Sequence, residues 1–168
     1  MNNAGGQLGL TQPFSALSPS HLRRTFETNV YSAFMLTAAA LPVMSEEGSI
    51  INTSSVEACG VGVKGMVDYA SAKGALTSFT YALAQEDEVL KKRIRVNAVA
   101  PGPVYMPLNV AVMPAERLEE GVKCDTWMRR IAQPCEIAPS FVFLASNQLS
   151  SFMTGQVLHP NGGAAVHG

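Results

Sequence analysis

Tyr69 and Lys73, four residues apart, are the pair of side chains in this sequence best suited to acid–base chemistry. On a helix, a spacing of four places both side chains on one face. A phenol titrates near pH 10, which is too high for easy proton exchange at neutral pH. An ammonium about 5 Å away, at an effective dielectric of about 20, would stabilise the phenolate by about 3 kcal/mol, or roughly two pK units. The spacing therefore predicts a tyrosine that acts as general acid or base beside a lysine that lowers its pKa.

The same pair, read alone, would also suit a partly exposed helix surface, so the elements around it matter. Ser18 and Pro19 are typical of a helix start, and apolar residues then recur at helical spacing. The pattern predicts helices over about 19–44, 67–90, 114–120 and 136–146, and short buried strands at 49–53, 94–99 and 156–159. Strands that alternate with helices indicate parallel β/α units, with helices on both faces of the sheet.

Composition narrows the class of protein. The 168 residues are 47% hydrophobic and carry a net charge of -1, which favours one globular domain over residues 1–168 and gives no sign of a nucleic-acid surface. The longest apolar stretch, residues 30–44, is too short to span a bilayer, and no leader pattern opens the chain. Three cysteines without metal-binding spacing and three scattered histidines predict a cytoplasmic protein with reduced thiols and no metal site.

Several motifs accompany the Tyr69–Lys73 pair, and with them the sequence resembles the short-chain dehydrogenase/reductase family along its whole length. In chain order they are NNAG at 2–5, TNV at 28–30, NTSS at 52–55, YASAK at 69–73, RVNAVAPG at 95–102, FLAS at 143–146 and TGQ at 154–156. The stretches NTSS, VDYASAK, APGPV and GQVLHPNGG together resemble a general-stress and glucose-dehydrogenase-like group of this family.

The resemblance implies an NAD(P)-dependent oxidoreductase that moves hydride between the nicotinamide and an alcohol or carbonyl carbon of a small molecule. It implies that Tyr69 exchanges the substrate proton, that Lys73 lowers the pKa of Tyr69 and binds the nicotinamide ribose, and that Ser55 hydrogen-bonds the substrate oxygen. Asn29 would hold a water for proton relay. The cofactor, NAD or NADP, would be contacted by Asn3, Ala4, Gly5, Tyr69, Lys73, Pro101, Gly102 and Val104.

The resemblance also implies a homo-oligomer built through the helices at 19–44 and 67–90. Their apolar residues lie on more than one face, as expected for helices buried on both sides. No nucleic-acid or membrane partner is expected.

The sequence departs from the family pattern in three places. The opening strand, glycine-rich turn and cofactor-selecting residue have no counterpart, so we expect the C-terminal part of a Rossmann-type doubly wound parallel sheet, without the N-terminal dinucleotide-binding strands. On this view the alternative to an active enzyme is an inactive truncated fragment that at most associates with other subunits.

Ser55 lies 14 positions before Tyr69, one more than usual, so the serine role could instead fall to Ser54. Met106 occupies the place of a threonine that holds the carboxamide, which leaves backbone amides near Val104 for that contact.

One glycine pattern imitates a phosphate-binding turn. Gly60, Gly62 and Gly65 fit GxGxxG, but the first glycine comes six residues after Ser54, and the acidic residue about 20 positions on, Glu86, falls on a predicted helix. We interpret this segment as a flexible loop, which the resemblance places at the substrate side of the site.

Overall fold

The computed structural model describes residues 1–61, 63–106 and 126–164. Its helices are α1 (Pro19–Phe26), α2 (Ser32–Ala40), α3 (Val67–Leu83), α4 (Asp87–Lys91), α5 (Pro134–Ala145) and α6 (Asn147–Ser150). Its strands are β1 (Ser49–Thr53), β2 (Arg95–Val99) and β3 (Val157–Leu158). A π-helical turn, Glu27–Tyr31, joins α1 to α2, and 3-10 turns cover Phe14–Ala16, Leu41–Val43 and Val56–Cys59. The helix predicted at 114–120 lies outside the described residues.

The three strands form one parallel sheet in the order β1-β2-β3, which confirms the predicted parallel α/β layer. β1 pairs with β2 from Ser49–Arg95 to Thr53–Val99. On its other side β1 meets the NNAG segment, because Asn2 N donates to Ile51 O (2.8 Å) and Asn2 O accepts from Thr53 N (3.0 Å). The carboxyl ends of β1 and β2, the first residues and the start of α3 therefore converge on one edge.

Successive residues of the strands face opposite layers, as the pleat requires. Ile50 and Val96 pack with residues of α4 and of the segments flanking it, whereas Ile51 and Val99 pack with residues of α5. Helices therefore cover both faces of the sheet, as predicted. Among the described residues, no helix is both long enough and apolar enough to span a membrane.

Three predicted helices differ from the structure. The helix predicted at 19–44 is divided into α1, the π-helical turn, α2 and the 3-10 turn Leu41–Val43. The helix predicted at 67–90 is interrupted between α3 and α4, where Glu86 has an extended backbone. Ala84 and Val89 are both buried in the same apolar cluster, and a continuous helix would point residues five apart about 140° away from each other. The helix predicted from 136 begins at Pro134, because Gln133 and Glu136 form a capping box ahead of it.

Candidate functional site

Tyr69 lies in the first turn of α3, beside the carboxyl end of β1. Its phenol lies close enough to the side chain of Ser55, which follows β1 by two residues, for that hydroxyl to influence the pKa of Tyr69. Ser55 also accepts a hydrogen bond from Glu57 N (3.2 Å), so it caps the 3-10 turn that follows the strand. The turn thus fixes the Ser55 hydroxyl against the phenol.

The adjacent serine points elsewhere. Ser54 Oγ donates to the backbone carbonyl of Lys73 (3.0 Å) and lies 2.8 Å from Thr77 Oγ1, so it ties β1 to the middle of α3. Consecutive residues at a strand end face opposite sides. Of the two serines that the sequence left open, the geometry therefore places Ser55, not Ser54, beside Tyr69.

Lys73 is buried one helical turn after Tyr69, and its side-chain nitrogen donates to Thr53 O (2.8 Å) at the end of β1. The Nζ atom lies 5.6 Å from the centre of the Tyr69 ring. Burial lowers the pKa of this ammonium from 10.5 to about 8, because a buried site disfavours the charged form. Lys73 is therefore close to losing its proton just above neutral pH.

The expected lowering of the Tyr69 pKa by Lys73 is not found. Burial raises the pKa of the Tyr69 phenol, the nearby hydroxyl of Ser55 lowers it by less, and the carboxylate of Glu57 raises it further. The prediction from the sequence considered only the attraction between the ammonium and the phenolate. It left out desolvation, which disfavours the charged phenolate at a buried position. In this protein Tyr69 is consequently a protonated phenol at neutral pH.

Asn29 lies in the π-helical turn between α1 and α2 and is fully buried. Its Nδ2 donates to Gly6 O and Thr25 O (both 2.9 Å), and its Oδ1 accepts from Gly6 N (3.0 Å). Such π-helical turns are frequent at functional sites. The side chain of Asn29 therefore anchors the turn that follows NNAG to the helix below it.

The NNAG turn packs directly on Asn29 and Lys73. A Cβ atom placed on Gly5 would lie 2.8 Å from Asn29 Oδ1 and 3.1 Å from Lys73 Nζ, so only glycine fits there without displacing one of them. Asn3 Oδ1 accepts from Thr53 Oγ1 (2.9 Å), which holds the turn against the end of β1. Gly5, Asn29 and Lys73 thus meet at one point, although their sequence positions span 69 residues.

The residues after β2 lie along the same edge. Pro101 O accepts from Val56 N (2.9 Å), and a Cβ on Gly102 would lie 2.6 Å from Asn161 Cα. Val104 forms a parallel bridge with Ala132. The PG turn is therefore packed between the turn after β1 and the segment after β3, within the same part of the structure as the Tyr69 pair.

The glycine pattern at 60–65 forms no phosphate cradle in its described part. Gly60 and Gly65 have positive φ of 89°, which glycine readily adopts, while Gly62 lies outside the described residues. Val63 N donates to a carboxylate oxygen of Glu57 (3.0 Å). This backbone amide is therefore already hydrogen-bonded to an anionic side chain of the protein. Glu57 was missed in the sequence, since nothing in the residues between Ser55 and Tyr69 singles it out.

Comparison with known proteins supports the family resemblance. A family model described as enoyl-(acyl carrier protein) reductase matches residues 1–165. NADPH-dependent aldehyde reductase 1, chloroplastic, of Arabidopsis thaliana is 46% identical over 170 residues, which cover 99% of this chain and 56% of the relative. Glucose and ribitol dehydrogenase homolog 2 of the same organism is 49% identical over 154 residues, covering 90% of this chain and 51% of the relative. The chain thus spans about half the length of the curated relatives it matches.

A solved structure has the same arrangement of elements. The blue fluorescent protein from a metagenomic library, in complex with NADPH, is similar with a TM-score of 0.87 and 32% sequence identity. The match covers 98% of this chain and 64% of that one. The fold described above is therefore shared with a protein that binds a nicotinamide cofactor.

Proposed function

Because the chain belongs to the short-chain dehydrogenase/reductase family, within its glucose-dehydrogenase-like group, we propose that the whole protein is an NAD(P)-dependent oxidoreductase acting on a small alcohol or carbonyl compound. The observation that carries the proposal is the grouping of Ser55, Tyr69 and Lys73 at the carboxyl edge of the sheet, where α/β proteins bind ligands.

The phenol of Tyr69 is the proposed acid–base group. Since its pKa is raised, it holds its proton at neutral pH and donates it to a carbonyl oxygen during reduction. In the reverse direction the phenol must first release its proton to solvent, and the phenolate then accepts the proton of the alcohol. Ser55, whose hydroxyl is fixed by Glu57 N, is proposed to hydrogen-bond the same substrate oxygen and so align it with the phenol.

The chemistry of the donors fits a nicotinamide nucleotide. When bound, the nicotinamide supplies or accepts the hydride. An ammonium carries three N–H donors, and one of those of Lys73 goes to Thr53 O, so the group can hold ribose hydroxyls from a buried position. We propose that the remaining contacts come from the NNAG and PG turns, through Asn3, Ala4, Gly5, Pro101, Gly102 and Val104.

Asn29 is proposed to act beside Lys73. A carbonyl oxygen accepts two hydrogen bonds, so Oδ1 can accept from a water while it holds Gly6 N. We propose that this water links Asn29 to the ammonium of Lys73, since both side chains lie against Gly5.

Replacing Tyr69 with Phe tests this function. The change keeps the ring and removes the proton donor, so turnover should fall by about 100-fold or more. Initial rates would be measured on the whole protein with NADH and NADPH against an aldehyde, and in the oxidative direction against glucose and ribitol. Tyr81→Phe, which alters an exposed tyrosine of the same helix, is the matched control. Near-native turnover in Tyr69→Phe would rule out the assignment.

We also propose that the whole protein associates with itself through α2 and α3. Met35 and Leu36 of α2 are exposed, and the ring of Phe34 stacks on Phe79 of α3 with centroids 3.9 Å apart, so the two helices present one apolar surface. We expect sedimentation velocity at micromolar concentration to show an oligomer. A monodisperse monomer would contradict the proposal.

A further inference from the structure

A second cluster of polar side chains lies behind Tyr69, between α1 and the start of α3. Asp68 is buried, and its Oδ2 accepts from Thr25 Oγ1 (2.6 Å) and lies 3.2 Å from His21 Nε2. The Thr25 hydroxyl carries one proton, and the short contact assigns it to Asp68 rather than to His21 O (3.2 Å). The carboxylate of Asp68 is thus hydrogen-bonded by Thr25 and lies against the imidazole of His21, whose Nε2 makes no hydrogen bond to the described residues.

The start of α3 depends on this cluster. Met66 occupies the N-cap position and provides no side-chain cap, whereas Asp68 is an acidic residue in the first turn. A carboxylate there interacts favourably with the partial positive charge of a helix N-terminus. A buried carboxylate is stable only when it is partnered, so the first turn of α3 stays in place as long as Asp68 remains bound to α1.

The cluster also touches the other proposed site residues. Tyr69 follows Asp68 directly in the chain, so a shift of the Asp68 backbone moves the phenol. On the α1 side, Thr25 O accepts from Asn29 Nδ2 (2.9 Å). The same threonine therefore bonds α3 through its hydroxyl and the amide of Asn29 through its carbonyl.

We propose that His21, Thr25 and Asp68 form a positioning clamp, which fixes the first turn of α3 against α1 so that the Tyr69 phenol faces Ser55. The proposal rests on the proposed function, because the clamp acts through Tyr69. None of the three residues touches the reacting atoms. Their role is to keep the phenol within hydrogen-bond reach of the substrate oxygen, where a displacement of about 1 Å can cost about 100-fold in rate.

The test compares variants that break the clamp with variants that keep its polar groups. Thr25→Val removes the donor to Asp68, His21→Leu removes the ring nitrogen that lies against the carboxylate, and Asp68→Asn removes the charge, whereas Thr25→Ser keeps the hydroxyl and His21→Gln keeps a polar side chain. Asp87→Asn, an exposed acid in the first turn of α4, is the matched control. Three quantities would be measured on the whole protein: kcat, KM for the cofactor, and the 13C resonance of the Tyr69 phenol carbon, assigned by its absence in Tyr69→Phe.

We expect Thr25→Val and Asp68→Asn to lower kcat by about 10-fold or more, to leave the KM for the cofactor within about threefold, and to shift the Tyr69 resonance. Thr25→Ser and His21→Gln should restore both kcat and the resonance. The proposal is overturned if Thr25→Val and His21→Leu leave kcat and the resonance unchanged. It is equally overturned if they lower stability alone, since a merely structural contact would not move the phenol.

Failure of the proposed function would look different. If Tyr69→Phe kept full turnover, Tyr69 would not be the proton donor, yet the resonance of Tyr69 would still report whether the clamp holds it. A variant that does not fold is replaced by a variant at another of the three positions, because His21 and Thr25 approach the Asp68 carboxylate through separate side chains.

Discussion

Two buried cations lie at opposite ends of the same sheet and are satisfied in different ways. Lys73 reaches the carboxyl end of β1 and donates to one carbonyl, that of Thr53. Arg95 begins β2 at the amino end, and its guanidinium donates to Asn147 Oδ1 twice (2.7 and 3.1 Å), to Leu144 O (2.9 Å) and to Ser150 Oγ (3.0 Å). Both side chains belong to residues at most 6% exposed.

The difference is the one expected between a structural cation and the cation that we propose to be functional. Burial lowers the pKa of both groups, but a guanidinium ordinarily titrates above pH 12 and stays charged, while the ammonium of Lys73 falls to about 8. The N–H donors of Arg95 form hydrogen bonds that hold α5 and α6 to the sheet. Lys73 sits in the protein at a cost in free energy and keeps donors available for a ligand, as expected of a group retained for its chemistry.

The largest effect we predict is on turnover, at the Lys73 end. Lys73→Met keeps the approximate length of the side chain and removes the ammonium, so it should reduce kcat/KM by about 100- to 10,000-fold through loss of the proposed contact with the nicotinamide ribose. Steady-state rates on the whole protein would measure it. Lys91→Met, at an exposed lysine of α4, is the control. If Lys73→Met kept activity within tenfold of wild type, the proposed difference between Lys73 and Arg95 would be wrong.

The opposite end should respond in stability rather than in catalysis. Arg95→Met removes the donor to Asn147 Oδ1 and Ser150 Oγ and leaves Leu144 O with Ser49 Oγ alone (2.9 Å), which should lower the free energy of unfolding by about 2–4 kcal/mol. Urea unfolding would give this value, and turnover per folded molecule should stay near wild type. Arg95→Lys should recover only part of the loss, because an ammonium lacks the planar fork. An unfolding free energy within 0.5 kcal/mol of wild type, roughly the range of a neutral surface change, would contradict this account.

The sequence predicted the elements well because each is a local pattern. β1 appears as predicted at Ser49–Thr53, since a short apolar run bounded by glycine and serine is a local signal. The Tyr69–Lys73 spacing likewise needs only one helix. The break between α3 and α4 was missed because it follows from the burial of Ala84 and Val89 in one cluster, which is a property of the packed protein.

The electrostatics of the site could not be read from the sequence. The direction of the Tyr69 pKa depends on burial and on Glu57, whose position is set by the 3-10 turn after β1. The contrast between the two cations was equally hidden, because the partners of Arg95 lie about 50 residues further along the chain. The assignment of Ser55 rather than Ser54 depended on which side of a strand end each one faces.

The smallest predicted effect tests whether Lys73 really lowers stability where it sits. Its pKa is about 8 in the folded protein and 10.5 in the unfolded chain, so between these values the unfolded state binds more protons. The contribution of Lys73 to the free energy of unfolding must therefore rise as pH increases from about 8 to 10.5. Below pH 8 the protein bears the whole cost of burying the charged ammonium. A shift of this size corresponds to roughly 3 kcal/mol at most, partly offset by the hydrogen bond to Thr53.

We expect Lys73→Met to be more stable than wild type by about 1–2 kcal/mol at pH 7, with the difference shrinking towards pH 10. The free energy of unfolding in urea would be measured for both proteins across this pH range. The difference between the two values cancels the titration of all other groups. A difference that stays constant with pH would show that Lys73 is held without strain, and that the two ends of the sheet are less different than their hydrogen bonds indicate.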